Sequence, residues 1–393
     1  MREGFFWTRC RTMHSDSKLS ALFLIHSLAP AGSGGEKAWN EGSFLASTRI
    51  QLAPALKAAQ SLGLKPEITN LRSENTSSLA KIGGQKCCII GKLSHPKPEF
   101  AERIAMANLA AISILKQKRI PILTTYCDNL ASGTSPSISS LYQSLLWHSD
   151  TIIYPNKAMV NFGRQWHNPE NPPKEIIIED PWQVERQPFT RLHEGETCRI
   201  IWFGHSSNSQ YLLDELSDIL QGCSAWTSFE LTILSDPQTA QRVANAIKPM
   251  KCNKQWSLRY KKWASNNQPQ QLSDELKRAH ISLLPSNPND SRKSAASHNR
   301  AVDSLQAGCI TIASPLPSYL EIKKMLIATS CFSSAINSAI QQRDRLSAKW
   351  ERLRESELGR FSPIENQRKW NSAFLSLLEP QKRAKSKELP SKY

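Results

Sequence analysis

Short β-rich apolar runs alternate along this chain with longer stretches in which apolar positions recur every three or four residues. In the first half the runs are Leu19–Ile25, Cys87–Gly91, Ile120–Tyr126, Thr151–Tyr154 and Glu175–Ile178. In the second half they are Arg199–Phe203, Glu230–Leu234, Ser257–Tyr260, Ile281–Leu284 and Ile310–Ala313. Helical spacing separates them. Thr48–Leu62 puts Leu52, Leu56, Ala59 and Leu62 on one face before Gly63, and Pro98 opens a second stripe of Phe100, Ile104, Ala107, Ala111 and Ile114. Further helices are expected near Asn208–Leu220, Pro237–Ile247, Gln271–His280 and Asn299–Ala307, and Ser334 to Leu378 reads as mostly helical. Strands alternating with helices predict parallel sheets built from βαβ units, an α/β fold.

At 393 residues the chain exceeds what one hydrophobic core serves. Two Rossmann-like domains are expected, at 19–180 and 198–333, with a cleft between them. Residues 181–197 carry Pro181, Pro188, Gly195 and many charges, and read as a hinge-like linker. A helical segment at 334–378 and a basic tail at 379–393 follow, and residues 1–18 read as a frayed leader or as sequence upstream of the real start. No apolar run approaches the roughly 20 residues of a membrane span. Nine cysteines without a CxxC pair give no metal site and suit reduced thiols in a cytoplasmic protein. The net charge of +16 implies a surface that attracts phosphates, acidic lipids, acidic glycans or nucleic acid.

The segment Lys293 to Glu321 carries the most information. It predicts a loop, a helix entered near His298 and Asn299, a glycine stop at Gly308, the strand Ile310–Ala313 and a Pro-Ser turn. Ile200–Asn208 ends a strand at Gly204 and opens a helix near Asn208. Both units bring polar groups to the carboxyl edge of a sheet, where open α/β folds bind ligands. A nucleotide diphosphate needs backbone N–H groups, cations and a carboxylate for its ribose. Ser206, Ser207 and Asn208 serve equally well as a phosphate nest or as plain helix caps, and Lys293 and Arg300 as phosphate partners or as solvated cations.

The two segments resemble the donor-binding region of GT-B glycosyltransferases, particularly the large group resembling family four, in which an acidic residue, four further residues and a glycine precede an apolar strand. Here these are Asp303 and Gly308. The resemblance implies two Rossmann-like domains, with the nucleotide sugar held in the second by Gly204, His205, Ser206, Asn208, Lys293 and Arg300. It implies that Asp303 binds the ribose, that neither metal nor cofactor is needed beyond the nucleotide-diphosphate sugar as co-substrate, and that transfer is retaining. It also implies a C-terminal helix crossing back onto the first domain, with Trp370, Phe374 and Leu377 packing there. Two departures stand out: the first glutamate of the family's pair falls on Ala295, and the basic residue expected after Gly204 is His205, followed by Ser206 and Ser207.

In the first domain the glycine-rich loop Ala29–Glu36, with Gly34 and Gly35, and the cationic Arg49 are the candidate acceptor-binding residues. His95 is the candidate for polarising the transferred sugar, with His26 as competitor, and Asp128, beside Asn129, for orienting a hydroxyl. Each has a structural alternative, as a surface histidine or a turn cap. The basic segment with Lys251, Lys254, Arg259, Lys261 and Lys262 interleaves Trp256, Tyr260 and Trp263. It suits stacking on single-stranded nucleic acid, an anionic membrane face, or a strand with a buried aromatic side. The expected function is a cytoplasmic glycosyltransferase of polysaccharide biosynthesis, moving a sugar from a nucleotide sugar to a glycan, lipid or small-molecule acceptor. Peripheral contact with the anionic inner face of the membrane is compatible with it, and nucleic acid is the least favoured partner. The alternative is a catalytically impaired sugar-nucleotide or glycan-binding scaffold.

Overall fold

The computed structural model describes residues 19–25, 48–71, 79–95, 97–133, 135–224, 226–248, 255–264 and 268–378. Six strands, β1 (Ser20–Leu24), β2 (Lys65–Thr69), β3 (Cys87–Ile90), β4 (Ile122–Thr125), β5 (Thr151–Tyr154) and β6 (Lys174–Ile177), form a parallel sheet in the order β2-β1-β3-β4-β5-β6. A π-helical turn, Thr48–Leu52, leads into α1 (Ala53–Ser61), and α2 (Pro98–Gln117), α3 (Pro136–His148) and α4 (Lys157–Arg164) also belong to this domain. The second parallel sheet has the order β12-β11-β10-β7-β8-β9. Its strands are β7 (Cys198–Phe203), β8 (Ser228–Ser235), β9 (Gln255–Lys262), β10 (Ile281–Leu284), β11 (Ile310–Ala313) and β12 (Ile327–Ala328). Its helices are α5 (Ser209–Asp214), α6 (Leu216–Cys223), α7 (Pro237–Ile247), α8 (Gln268–Arg278), α9 (Asn299–Gln306) and α10 (Pro317–Leu320), followed by α11 (Phe332–Gln341), α12 (Arg343–Leu358) and α13 (Pro363–Leu378).

The order follows from burial. Every residue of β3, β4, β10 and β11 is buried, so both faces of these strands require cover and they take central places. Strand β2, with Lys65, Pro66 and Glu67, has none of its residues buried and sits at an edge, where a proline N–H is not missed. The expected α/β architecture of two Rossmann-like sheets is what forms. Strands β2 and β12 and helices α3 and α4 come in addition to the elements read from the sequence.

Helix α13 returns to the first domain. Trp370 and Phe374 are buried against Ala21, Phe23 and Leu52, with the Phe23 and Phe374 rings 6.5 Å apart, and Leu377 joins the same cluster. The aromatic side of β9 faces inward: Trp256 stacks on Phe229, Tyr260 and Trp263 lie on the second core, and Arg259 pairs with Glu275. Trp256 and Tyr260 of β9 are partly buried against this core, while Lys251 and Lys254 lie outside the described residues. Among the described residues no helix is long and apolar enough to cross a membrane.

Residues 181–197, expected as a hinge, form no helix or strand but are bound along their length to the second domain. The Gln183 N–H donates to Asp303 Oδ1 at 2.8 Å, and the Gln187 and Thr190 N–H groups donate to the carbonyls of Gln306 and Gly308. Arg354 Nη1 donates to the Gln187 carbonyl while its guanidinium lies over Phe189. Gly308 has φ +82°, and a Cβ there would collide with the Pro188 carbonyl, so both the turn and the strap above it require glycine.

Candidate active site between the two sheets

The carboxyl tips of both sheets meet around the loop that links β10 to α9. From the first domain, Lys92 follows β3, Asp128 and Asn129 follow β4, Asn156 follows β5, and Asp180 follows β6. From the second, Gly204 follows β7, Asp236 follows β8, and the loop carries Lys293 toward the first domain.

Lys92 and Asp128 form an ion pair with about a third of each side chain exposed. Burial works to raise the Asp128 pKa, but the Lys92 ammonium and, more weakly, Lys293 hold it below the ordinary carboxylate range. Burial lowers the Lys293 pKa, with Asp128 opposing that effect and Lys92 and Arg300 adding to it. Cations from both domains therefore converge on one carboxylate, leaving the cluster with an excess of positive charge.

Arg300, in the first turn of α9, lies with its guanidinium carbon 5.6 Å from the Trp202 ring and 5.2 Å from the Phe203 ring. A Cβ on Gly204 would lie 3.8 Å from the same carbon, so the guanidinium sits at the very tip of β7. Its Nε and Nη2 are buried without a hydrogen-bond acceptor among the described residues. A buried guanidinium stays protonated, and leaving its donors unmatched is costly. An anion would complete it.

Other expected site residues are placed differently. The N–H groups of the expected phosphate nest are already used: Ser206 donates to Asp236 Oδ2 at 2.7 Å, Ser207 to His205 Nδ1 at 3.2 Å, and Asn208 to the His205 carbonyl. The capping alternative describes this turn, with Asp236 as the acceptor of the Ser206 N–H. Asp303 has no exposed surface, because residues 181–197 cover its face of α9 and take its carboxylate. His95 Nδ1 accepts the Lys97 N–H and its ring packs on Phe100 at 4.8 Å, which places it at the start of α2. Gly34, Gly35 and His26 lie outside the described residues, as does the side chain of Arg49, whose backbone belongs to the π-helical turn.

Asp180 was not singled out from the sequence. It lines a small recess with Gln51, Thr125, Cys127, Asn366 and Trp370. Burial pushes its pKa up to about 6, against hydrogen bonds from Ser297 and Gln51, while Asp128 and Glu179 add to the rise. The signal available in sequence was its place two residues after the run Glu175–Ile178, at a strand tip. Ala295, at the position of the missing family glutamate, is buried in the first domain's core.

No family model and no curated protein matches the sequence. Among solved structures the chain is similar to HepE from Anabaena in complex with UDP and glucose, with a TM-score of 0.61 and 11% identity, covering 91% of this chain and 100% of that one. It is similar also to the apo form of WaaB, a lipopolysaccharide outer core galactosyltransferase, with a TM-score of 0.56 and 11% identity over 91% of this chain and 99% of that one. The chain has the GT-B fold. In this GT-B chain the Lys92, Asp128, Lys293 and Arg300 groups gather between the two domains, while Asp303 is buried in the second and the Ser206–Asn208 N–H groups are hydrogen-bonded within it.

Proposed function

We propose that this chain transfers a sugar from a nucleotide-diphosphate sugar to a hydroxyl of a glycan, lipid or small-molecule acceptor. The observation that carries the reading is the Arg300 guanidinium at the tip of β7, whose buried Nε and Nη2 have no acceptor among the described residues. A GT-B neighbour was solved with UDP-glucose, a ligand whose diphosphate would match such donors. In this reading Arg300 and Lys293 balance the charge that develops on the departing diphosphate. Asp128, held ionised by Lys92, orients the acceptor hydroxyl, and Asp180 stands behind it as the carboxyl with the higher proton affinity. Retention of configuration belongs to the family resemblance and is part of the proposal, as is an inner-face membrane location.

Titration with UDP and UDP-glucose tests it, together with detection of free UDP in the presence of hydroxyl acceptors. Saturable binding that Arg300→Met weakens at least about tenfold supports the site. No binding of either compound, or equal binding by the variant, overturns it. A second reading, a sugar-nucleotide-binding scaffold without turnover, is favoured by Ala295, which puts a methyl group in the first core where the family places a carboxylate. Binding without UDP release under any acceptor selects that reading.

A further inference from the structure

Asn129 and Asn156 are both fully buried, and each divides its amide between the two domains. Asn129 Oδ1 accepts from the Tyr126 hydroxyl at 2.7 Å, and its Nδ2 donates to the Ser291 carbonyl at 3.2 Å. Asn156 Oδ1 accepts the Met159 N–H at 2.7 Å as the N-cap of α4, and its Nδ2 donates to the Ala295 carbonyl at 3.1 Å and toward that of Ala296 at 3.4 Å. The oxygen of each amide is fixed by its own domain, so the NH2 group has to face the other. The two grip points, Ser291 and Ala295, bracket Lys293. Within the loop, Lys293 and Ser294 donate their N–H groups to the Asp290 carbonyl, each at 2.8 Å, so the turn moves as a unit.

We infer that Asn129 and Asn156 act as a two-point clamp that holds the Ser291–Ala296 turn against the first domain and thereby positions Lys293 beside Asp128 for its anionic ligand. They are positioning residues: neither exposes surface to a ligand, and their effect runs through Lys293. The ligand arm of this inference rests on the proposed nucleotide-sugar reading, whereas the clamp itself does not.

Asn156→Asp separates the two halves of the amide. Aspartate caps α4 as well as asparagine does, but it has no NH2 and sets a carboxylate against the Ala295 carbonyl. Asn129→Ala is the companion variant, and far-UV circular dichroism checks that both fold. Hydrogen exchange of amides 291–297 is expected to rise about tenfold or more in each variant, with the two sheets unchanged. Acylation of the Lys293 amine, followed by mass spectrometry, is expected to quicken in parallel. UDP affinity should fall about tenfold in Asn156→Asp, and fall no further when Lys293→Met is already present, since residues acting through one group are not additive. Unchanged exchange and unchanged Lys293 labelling would overturn the clamp. An equal loss of UDP affinity with and without Lys293 would overturn its positioning role. Should the wild-type chain bind no UDP at all, the nucleotide-sugar reading fails, and exchange with Lys293 labelling still decides the clamp.

Discussion

The Asp236 carboxylate sits where the second sheet would otherwise offer its first free backbone donor, accepting the Ser206 N–H at 2.7 Å from 30 residues away. The same side chain caps α7 by accepting the Thr239 N–H at 3.2 Å. One carboxylate thus closes a helix start and ties up the Ser206 N–H, while Arg300 keeps two buried donors with no acceptor among the described residues.

Replacing Asp236 by alanine should therefore have two opposite effects. Loss of the cap costs about 1 kcal/mol of stability, while removal of the negative charge and release of the Ser206 N–H strengthen anion binding. Pyrophosphate affinity measured by calorimetry is expected to rise severalfold as the urea midpoint falls. Burial works against ionisation of Asp236, but its hydrogen bonds win and lower its pKa. With a depressed folded pKa, its stabilising contribution is present above the unfolded carboxylate range and is lost as pH falls through the folded value. The difference in stability between wild type and Asp236→Ala should shrink accordingly in acid.

Arg300 makes a contrasting case. Its Nε and Nη2 are buried with no acceptor among the described residues, so Arg300→Met exchanges a largely desolvated charge for an apolar side chain of similar length. Thermal unfolding of the ligand-free variant should match the wild type or exceed it by about 1–2 kcal/mol. On the proposed function UDP stabilises the wild type by mass action, and in the variant it should no longer shift the melting temperature. A variant that unfolds earlier without ligand would mean the guanidinium has a structural partner.

The fold was legible where burial is complete on both sides. Ile281–Leu284 and Ile310–Ala313 read as strands because they are short apolar runs bounded by turn residues, and Gly308 marked the turn between helix and strand. Strand β2 hid because Lys65, Pro66 and Glu67 at an edge carry no apolar run, and α3 because its serines mask the spacing of Ile138, Leu141, Tyr142 and Leu145. The candidate site was legible only in part. Asp128 and Gly204 follow strands that the pattern locates, and Lys293 and Arg300 lie in the loop and helix start that follow Ile281–Leu284. Which donors are already used is decided by partners far apart in sequence, such as Asp236 with Ser206 or Gln183 with Asp303, and no local pattern encodes such pairings.

Asp180 predicts an unusual pH dependence. Its pKa is raised to about 6 chiefly by burial, so the protein is favoured when the carboxyl is protonated. A raised folded pKa means this contribution is fully present below the unfolded value of about 3.9 and is lost as pH rises through about 6. At pH 7 the ionised group costs on the order of 2–3 kcal/mol. Asp180→Asn keeps an acceptor for Gln51 and removes the charge. Denaturant unfolding should show the variant more stable than wild type at pH 7 by up to that amount, and level with it near pH 4. A gap that does not depend on pH would show that Asp180 does not titrate in this window.

Ala295 offers the sharpest contrast between resemblance and structure. The family places a glutamate at this position, so restoring it by Ala295→Glu would, on resemblance alone, improve a transferase. The structure says otherwise. Ala295 has no exposed surface and packs among first-domain core residues, and the Asn156 amide holds its carbonyl at 3.1 Å. A glutamate there needs room where there is none and brings a charge into an apolar core. The expected cost is about 3–5 kcal/mol, unless the loop lifts away and the domains part. Thermal unfolding measures the first outcome and an increased radius of gyration in solution scattering the second. In the second case the UDP affinity expected of the proposed site falls as well, because Lys293 leaves with the loop. A variant as stable and as compact as wild type, with unchanged or tighter UDP binding, would show that the space between the domains adapts to the family's carboxylate.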